Sequence, residues 1–206
     1  EDCWRYVERD YGKKPAKPVL DGEPSYEWVV QGLHDKKQPY WKAADVRRYA
    51  YWNVFAGAAG HTYGHNSIMQ FYDNLSEEGA FGARYLWSDA VHHPGGAQMI
   101  HLKRLMQSVD FTHGRPAEDY LLEEQGEKYD YISVFAGEDF LFAYTYTGRT
   151  ISLSLEHYLG KKLGAYWLDP VTGLQTFICD VTGRMQMEFR PPEREDGTDA
   201  VLVIRT

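Results

Sequence analysis

Cysteine is scarce. Cys3 and Cys179 stand far apart in 206 residues, so no disulfide framework holds this chain and its core must come from apolar packing. Both read as ordinary buried thiols, Cys3 in a helix and Cys179 in a strand. No apolar run approaches the length of a membrane span, so no membrane-spanning segment is expected. Positive charge is short as well: 22 Lys and Arg against 30 Asp and Glu leave a formal net charge of −8. That argues against nonspecific nucleic-acid binding, because no basic patch is available to displace phosphate counterions. A glycine-rich phosphate loop between strand and helix is missing, and so is Gly-x-Ser-x-Gly, which leaves nucleotide and serine-hydrolase chemistry without support. Neither an initiator Met nor a signal peptide precedes the amphipathic helix at the start, so an N-terminal part of a longer protein is expected to be absent.

What is present suffices for a core: 43% of the residues are hydrophobic and 15% aromatic, enough for one large domain or two small ones. Sixteen Tyr and six Trp offer flat faces that suit sugar rings, and the same count suits a β-rich domain. Trp4, Val7 and Tyr11 recur at helical spacing, which predicts a helix over 2–11 feeding a strand over 17–21. Asp45 is placed to cap a second helix with Val46, Tyr49, Ala50 and Val54 on one face. The small residues 56–60 then lead to a second strand at His61 to Tyr63. A long loop follows, carrying Trp87 and an exposed turn at His92-His93, and Pro94 opens a third helix. Thr112 to Pro116 forms a linker. From Tyr129 the apolar period becomes two, predicting seven or eight short strands separated by turns such as Gly137-Glu-Asp, Asp169-Pro-Val-Thr-Gly173 and Asp196-Gly197. Strands at this spacing make an antiparallel sandwich.

Within the first strand Pro18 can sit only near the start, Val19 and Leu20 are consecutive apolars, and Gly22 breaks the run. Glu23 therefore stands just past the carboxyl end of a parallel strand, the position catalytic groups occupy in an α/β barrel. The pattern Lys17-Pro-Val-Leu-Asp-Gly-Glu23, followed by Ala56-Gly-Ala-Ala-Gly-His-Thr-Tyr-Gly-His-Asn66, resembles the apiosidase-like glycoside hydrolases, family 140, which are similar to the large clan of retaining barrel glycosidases. The resemblance implies that residues 1–117 are the last strand-helix units of a (β/α)8 barrel, incomplete in this chain, and that Glu23 on the seventh strand is the nucleophile. Ala165 to Gly173, Phe189-Arg-Pro-Pro192 and Val201 to Ile204 look like the small β-sandwich that follows such barrels, a collagen-binding-type domain by family analogy, here over 118–206. One departure is Asp199-Ala200, where an aromatic often follows the Asp. Export to the periplasm or outside the cell is implied by the family alone.

Glycoside hydrolysis needs two carboxyl groups across the scissile bond. Glu23 supplies one, and a barrel of roughly 250 residues does not fit before the sandwich. The acid/base is therefore expected upstream, and this chain alone is expected to be inactive. As nucleophile Glu23 would stay ionised; otherwise it is a strand-end carboxylate in a salt bridge. Glu27 is its nearest rival, read as a supporting or substrate-binding group. Tyr26 and Trp87 are candidate sugar-packing rings, Trp87 equally a core filler. His61 and His65 have the spacing of a helical zinc pair, but Gly60 and Gly64 argue against a helix, and on a strand the two lie roughly 13 Å apart. His61, Tyr63 and His65 are thus read as hydrogen-bond donors lining a sugar cleft, or as histidines satisfying buried carbonyls. No cofactor and no metal are called for. The expected partners are a carbohydrate substrate and the N-terminal part of the barrel. The function expected is the C-terminal part of a retaining glycoside hydrolase acting on plant-type polysaccharide; the alternative is a noncatalytic sandwich that holds a glycan or matrix protein, with the barrel portion as scaffold.

Overall fold

The computed structural model describes residues 2–193 and 198–206; the turn expected at Asp196-Gly197 lies outside them. The first helix, Trp4–Tyr11 (α1), buries Trp4 and Val7. It leads to a short strand, Leu20–Asp21 (β1), then a helix, Ala43–Phe55 (α2), then Gly60–His61 (β2). β1 and β2 are parallel, with Leu20 opposite Gly60 and Asp21 opposite His61. The strand expected over 17–21 is thus shorter, although the Ala59 N–H donates to the Val19 carbonyl at 2.8 Å and extends the contact by one residue. Asp45 does not cap α2 from outside. It lies in the first turn, and its carboxylate reaches back to the Lys42 N–H at 2.9 Å. Every residue of α2 from Val46 to Phe55 is buried, the signature of a helix packed on all sides.

Asn66–Met69 (α3) and Trp87–Ala90 (α4) are single turns within the long loop after β2, and Pro94–Gln107 (α5) carries proline in its first turn, where a missing N–H costs nothing. The strands follow: Arg115–Pro116 (β3), Ile132–Ala136 (β4), Phe140–Thr145 (β5), Ile151–Ser154 (β6), Gly164–Leu168 (β7), Gln175–Asp180 (β8), Gln186–Phe189 (β9) and Ala200–Arg205 (β10). Six of them form one antiparallel sheet in the order β3-β4-β5-β10-β7-β8, and β6 pairs with β9 as a second, two-stranded layer. β3 begins ahead of the boundary expected between 117 and 118.

β4 and β5 are buried at every position, as is β10 save its last residue. The large sheet has no wet face there. Leu141, Ala143, Leu202 and Ile204 meet Ile151, Leu153 and Phe189 of the small sheet in one core. Phe135, Phe142, Tyr144, Val201 and Val203 point the other way and share a second core with Trp4, Val7, Tyr51, Trp52, Phe55 and Leu102. Helices and sheet are therefore one packed unit, three layers deep. Tyr51 stacks on Tyr144 with ring centroids 4.7 Å apart, and Trp4 on Tyr131 at 3.9 Å. Pairs of this kind contribute about 0.5–1.5 kcal/mol beyond the area they bury. The seam also holds a buried ion pair: Arg47 of α2 donates twice to Asp199, each bond 3.0 Å, and also bonds Gln98 of α5.

Candidate functional site

Past Asp21 the parallel ladder stops, because Gly22 is pliant and Pro24 has no N–H to give. It resumes where the Glu27 N–H donates to the Gly64 carbonyl and the Asn66 N–H to the Glu27 carbonyl, both at 2.9 Å. Between the pairs Asp21/His61 and Glu27/His65, one strand has residues 22–26 and the other only 62–64. The two surplus residues bulge out, and Glu23 stands on the bulge. It is exposed and lines a hollow of about 330 Å³ with Tyr6, Asp21 and Asn53. His61 and Tyr63 line a different, larger cavity of about 690 Å³, floored by apolar residues such as Val54, Met99 and Ile100. Glu23 is thus not brought into the cavity that His61 and Tyr63 line.

Glu27 is the carboxylate that meets Tyr63 instead, from a buried position. Its carboxylate accepts the Tyr63 hydroxyl at 2.6 Å and the backbone N–H of Gly95 at the start of α5. A Cβ on Gly95 would collide with that carboxylate, so glycine is required there. Burial pushes the Glu27 carboxyl above its ordinary range, opposed by the Tyr63 bond, the His93 ring, the Gly95 N–H and Arg47. Glu27 and His65 are each 1% exposed. Side chains so enclosed do not touch a sugar, and further chain packed around them only encloses them more, so the expectation that they line a cleft is corrected. Glu27 ties the two strand ends to the N-terminus of α5, where a carboxylate is favoured by the helix dipole.

His65 caps α3: its Nδ1 accepts the Ser67 N–H at 3.1 Å, and its Nε2 lies 2.8 Å from Nδ1 of His93. Burial, then the neighbouring His93, lowers the His65 pKa to about 4. An imidazole depressed from 6.5 to about 4 on folding stabilises the fold fully above pH 6.5, and that stability is lost as the pH falls toward 4. His65→Asn, which can keep the cap, is expected to flatten the decline of the urea midpoint between pH 6.5 and 4. A decline as steep as in the parent would remove His65 from that role.

His61, with its side chain 6% exposed, sets Nδ1 at 2.9 Å from Asp21, which also accepts from Asn53. Its Nε2 is buried without a partner among the described residues. The rings of His61 and His65 thus serve different partners, and among the described residues no three His, Cys, Asp or Glu side chains stand together as metal ligands. Tyr63 is half-buried with its hydroxyl spent on Glu27. Tyr63→Phe is expected to cost about 1.5–3 kcal/mol, the range for a hydrogen bond to a charged group, and to raise the Glu27 pKa further. An unchanged urea midpoint would contradict it. Tyr26 is half-buried, its ring flat against Gly64 where a Cβ would collide. Trp87 is 40% exposed and meets the edge of Phe71 at 6.1 Å.

Around this layer the loops form an aromatic and cationic crown that sequence reasoning missed. Trp28 lies within ring contact of Tyr40, Tyr85 and His93. Lys42 Nζ sits 3.0 Å from the Trp28 centroid, and the Arg84 guanidinium 3.8 Å from that of Tyr40. Buried Asn66 staples the crown, donating to the carbonyls of Trp28 and Phe81 at 2.9 Å each. Trp28 (φ 61°), Leu33 (68°), Phe71 (49°) and Phe81 (52°) adopt left-handed backbone, a strain that concentrates in these two loops. Sequence offered one weak signal, the aromatic density between residues 26 and 41; nothing in the spacing joins residue 93 to residue 65.

Comparison with known proteins places these features in context. The family described as "Apiosidase-like, catalytic domain" matches residues 1–113, and that described as "Putative collagen-binding domain of a collagenase" matches residues 116–205. A solved structure titled glycoside hydrolase is 42% identical with a TM-score of 0.93, covering 99% of this chain and 46% of its own. A glycoside hydrolase family 5 structure from Bacteroides vulgatus is 39% identical with a TM-score of 0.92, over 99% of this chain and 44% of its own. The chain thus spans less than half the length of these relatives. No curated protein matches it.

Proposed function

The chain belongs to the apiosidase-like glycoside hydrolases, and from that premise we propose that it supplies the nucleophilic carboxylate of a retaining glycosidase acting on plant-type polysaccharide, with Glu23 as the nucleophile. One observation carries the choice among carboxylates. Asp21 is engaged by Asn53 and His61, Glu27 is 1% exposed, and Glu23 alone of the three is open to a ligand. A retaining enzyme sets two carboxyl groups about 5 Å apart, one attacking the anomeric carbon while the other protonates the leaving oxygen. The acid/base is assigned to polypeptide outside this chain. Two features support a larger barrel in which β1 and β2 are the seventh and eighth strands. Parallel strands occur in sheets covered on both faces, yet Leu20 is 65% exposed. The apolar cavity beside β2 offers packing surface for further chain.

In the step proposed, Glu23 forms a glycosyl ester as the leaving alkoxide takes a proton from the upstream acid. Water, deprotonated by the same group, then releases the sugar with its original anomeric configuration. NMR of the first product released from plant cell-wall polysaccharide by the longer protein tests this. Retained configuration is the expected result, and an inverted product ends the reading.

A further inference from the structure

The pair His65–His93 has a proton arrangement that the geometry decides. The Ser67 N–H points at Nδ1 of His65, so that nitrogen is an acceptor and carries no proton. A neutral His65 therefore holds its proton on Nε2 and donates it across 2.8 Å to Nδ1 of His93. That makes Nδ1 of His93 an acceptor in turn, and the only proton left to a neutral His93 is on Nε2. His65, depressed to about 4, is neutral at neutral pH, so the arrangement holds there. Nε2 of His93 makes no hydrogen bond to the described residues, and His93 is half-buried. Its ring is held at the edge of Tyr85, 4.7 Å between centroids, and against Trp28 at 5.9 Å. An oriented N–H with no acceptor among the described residues, set between aromatic rings at the end of two parallel strands, suits a sugar, which offers oxygen acceptors on an apolar ring.

We infer that His93 donates its Nε2–H to a sugar hydroxyl oxygen and that His65 is the positioning residue which fixes its tautomer and its ring. This rests on the glycosidase reading above, since it takes the crown for part of the sugar cleft. It also gives duties to two histidines that neither the nucleophile nor the acid/base requires.

Two measurements test it. In the chain labelled with ¹⁵N-histidine, His93 is expected to be protonated at Nε2, and His65→Phe, which removes the donor, is expected to turn it into a mixture of tautomers. A His93 protonated at Nδ1 in the parent, or one whose tautomer ignores the His65 change, overturns the assignment. In the longer protein, reducing ends released from plant cell-wall polysaccharide give KM and kcat. His93→Ala is expected to raise KM about tenfold or more while kcat changes far less, and His93→Gln, which retains an N–H donor, to recover most of the loss. An unchanged KM in His93→Ala, where Glu23→Gln is inactive, sinks this inference and leaves the nucleophile standing. Full turnover by Glu23→Gln instead sinks the nucleophile, and the KM of His93→Ala still decides the sugar contact.

Discussion

Glu23→Gln in the longer protein is expected to lower turnover by about 10³-fold or more while leaving the fold intact. Both halves of that expectation come from the bulge. An amide cannot attack an anomeric carbon, so the covalent step is lost. Glu23 is exposed and has no hydrogen-bond partner among the described residues, so the substitution should shift stability by no more than about 0.5 kcal/mol. Glu27→Gln is expected to behave in the opposite way. Glu27 is enclosed and receives Tyr63 and Gly95, so its loss should show first in the denaturation midpoint and only through it in activity. Since Glu27 carries a raised pKa, its contribution to stability is greatest below its unfolded value and fades as the pH rises through the folded one; Glu27→Gln should be penalised less at pH 7 than at pH 4. Turnover that survives Glu23→Gln but vanishes with folded Glu27→Gln would exchange the two roles.

The largest effect on stability is expected at the seam between helices and sheet. Asp199→Ala should destabilise the chain by about 3–5 kcal/mol, because it leaves the Arg47 guanidinium buried without its counter-charge. The pair is fully enclosed, with side-chain exposures of 3% and 2%, and Asp199 also receives the Tyr144 hydroxyl at 3.3 Å. Removing both charges tells the pair from the packing around it. Arg47→Met with Asp199→Leu should recover most of the loss, since well-packed apolar residues often replace a buried ion pair at little cost. Urea unfolding of the three variants decides it: a loss under about 1 kcal/mol for Asp199→Ala would mean that water reaches the guanidinium.

Much of this architecture was legible from local signals. Pro94 marks the start of α5, Gly12 the end of α1, and the period-two stretches after Tyr129 all become strands. What escaped was whatever depends on contacts far apart in the chain. Arg47 and Asp199 are 152 residues apart, and no local pattern pairs them. The stretch Phe140 to Tyr144 reads as a strand, yet nothing in it says that both of its faces are covered. In fact the aromatic side meets α2, and tyrosine, which suits either setting, does not reveal which. At the site the family motif drew attention to Glu23 and to the histidines, yet not to how they are used. A bulge two residues long separates Glu23 from Glu27 in environment, and a one-dimensional pattern does not show a strand slipping past its neighbour. His93, read as an exposed turn, owes its setting to the chain returning beside His65.

The sharing of one core between helices and sheet bears on how the protein can be taken apart. Excised by itself, the segment 118–206 would carry away a sheet with its aromatic side laid bare, Phe135, Phe142, Tyr144 and Val203 facing water where α2 and α5 had been. Such a fragment is no portable cassette; it would clump or melt, and any glycan or matrix protein it caught would report stickiness rather than recognition.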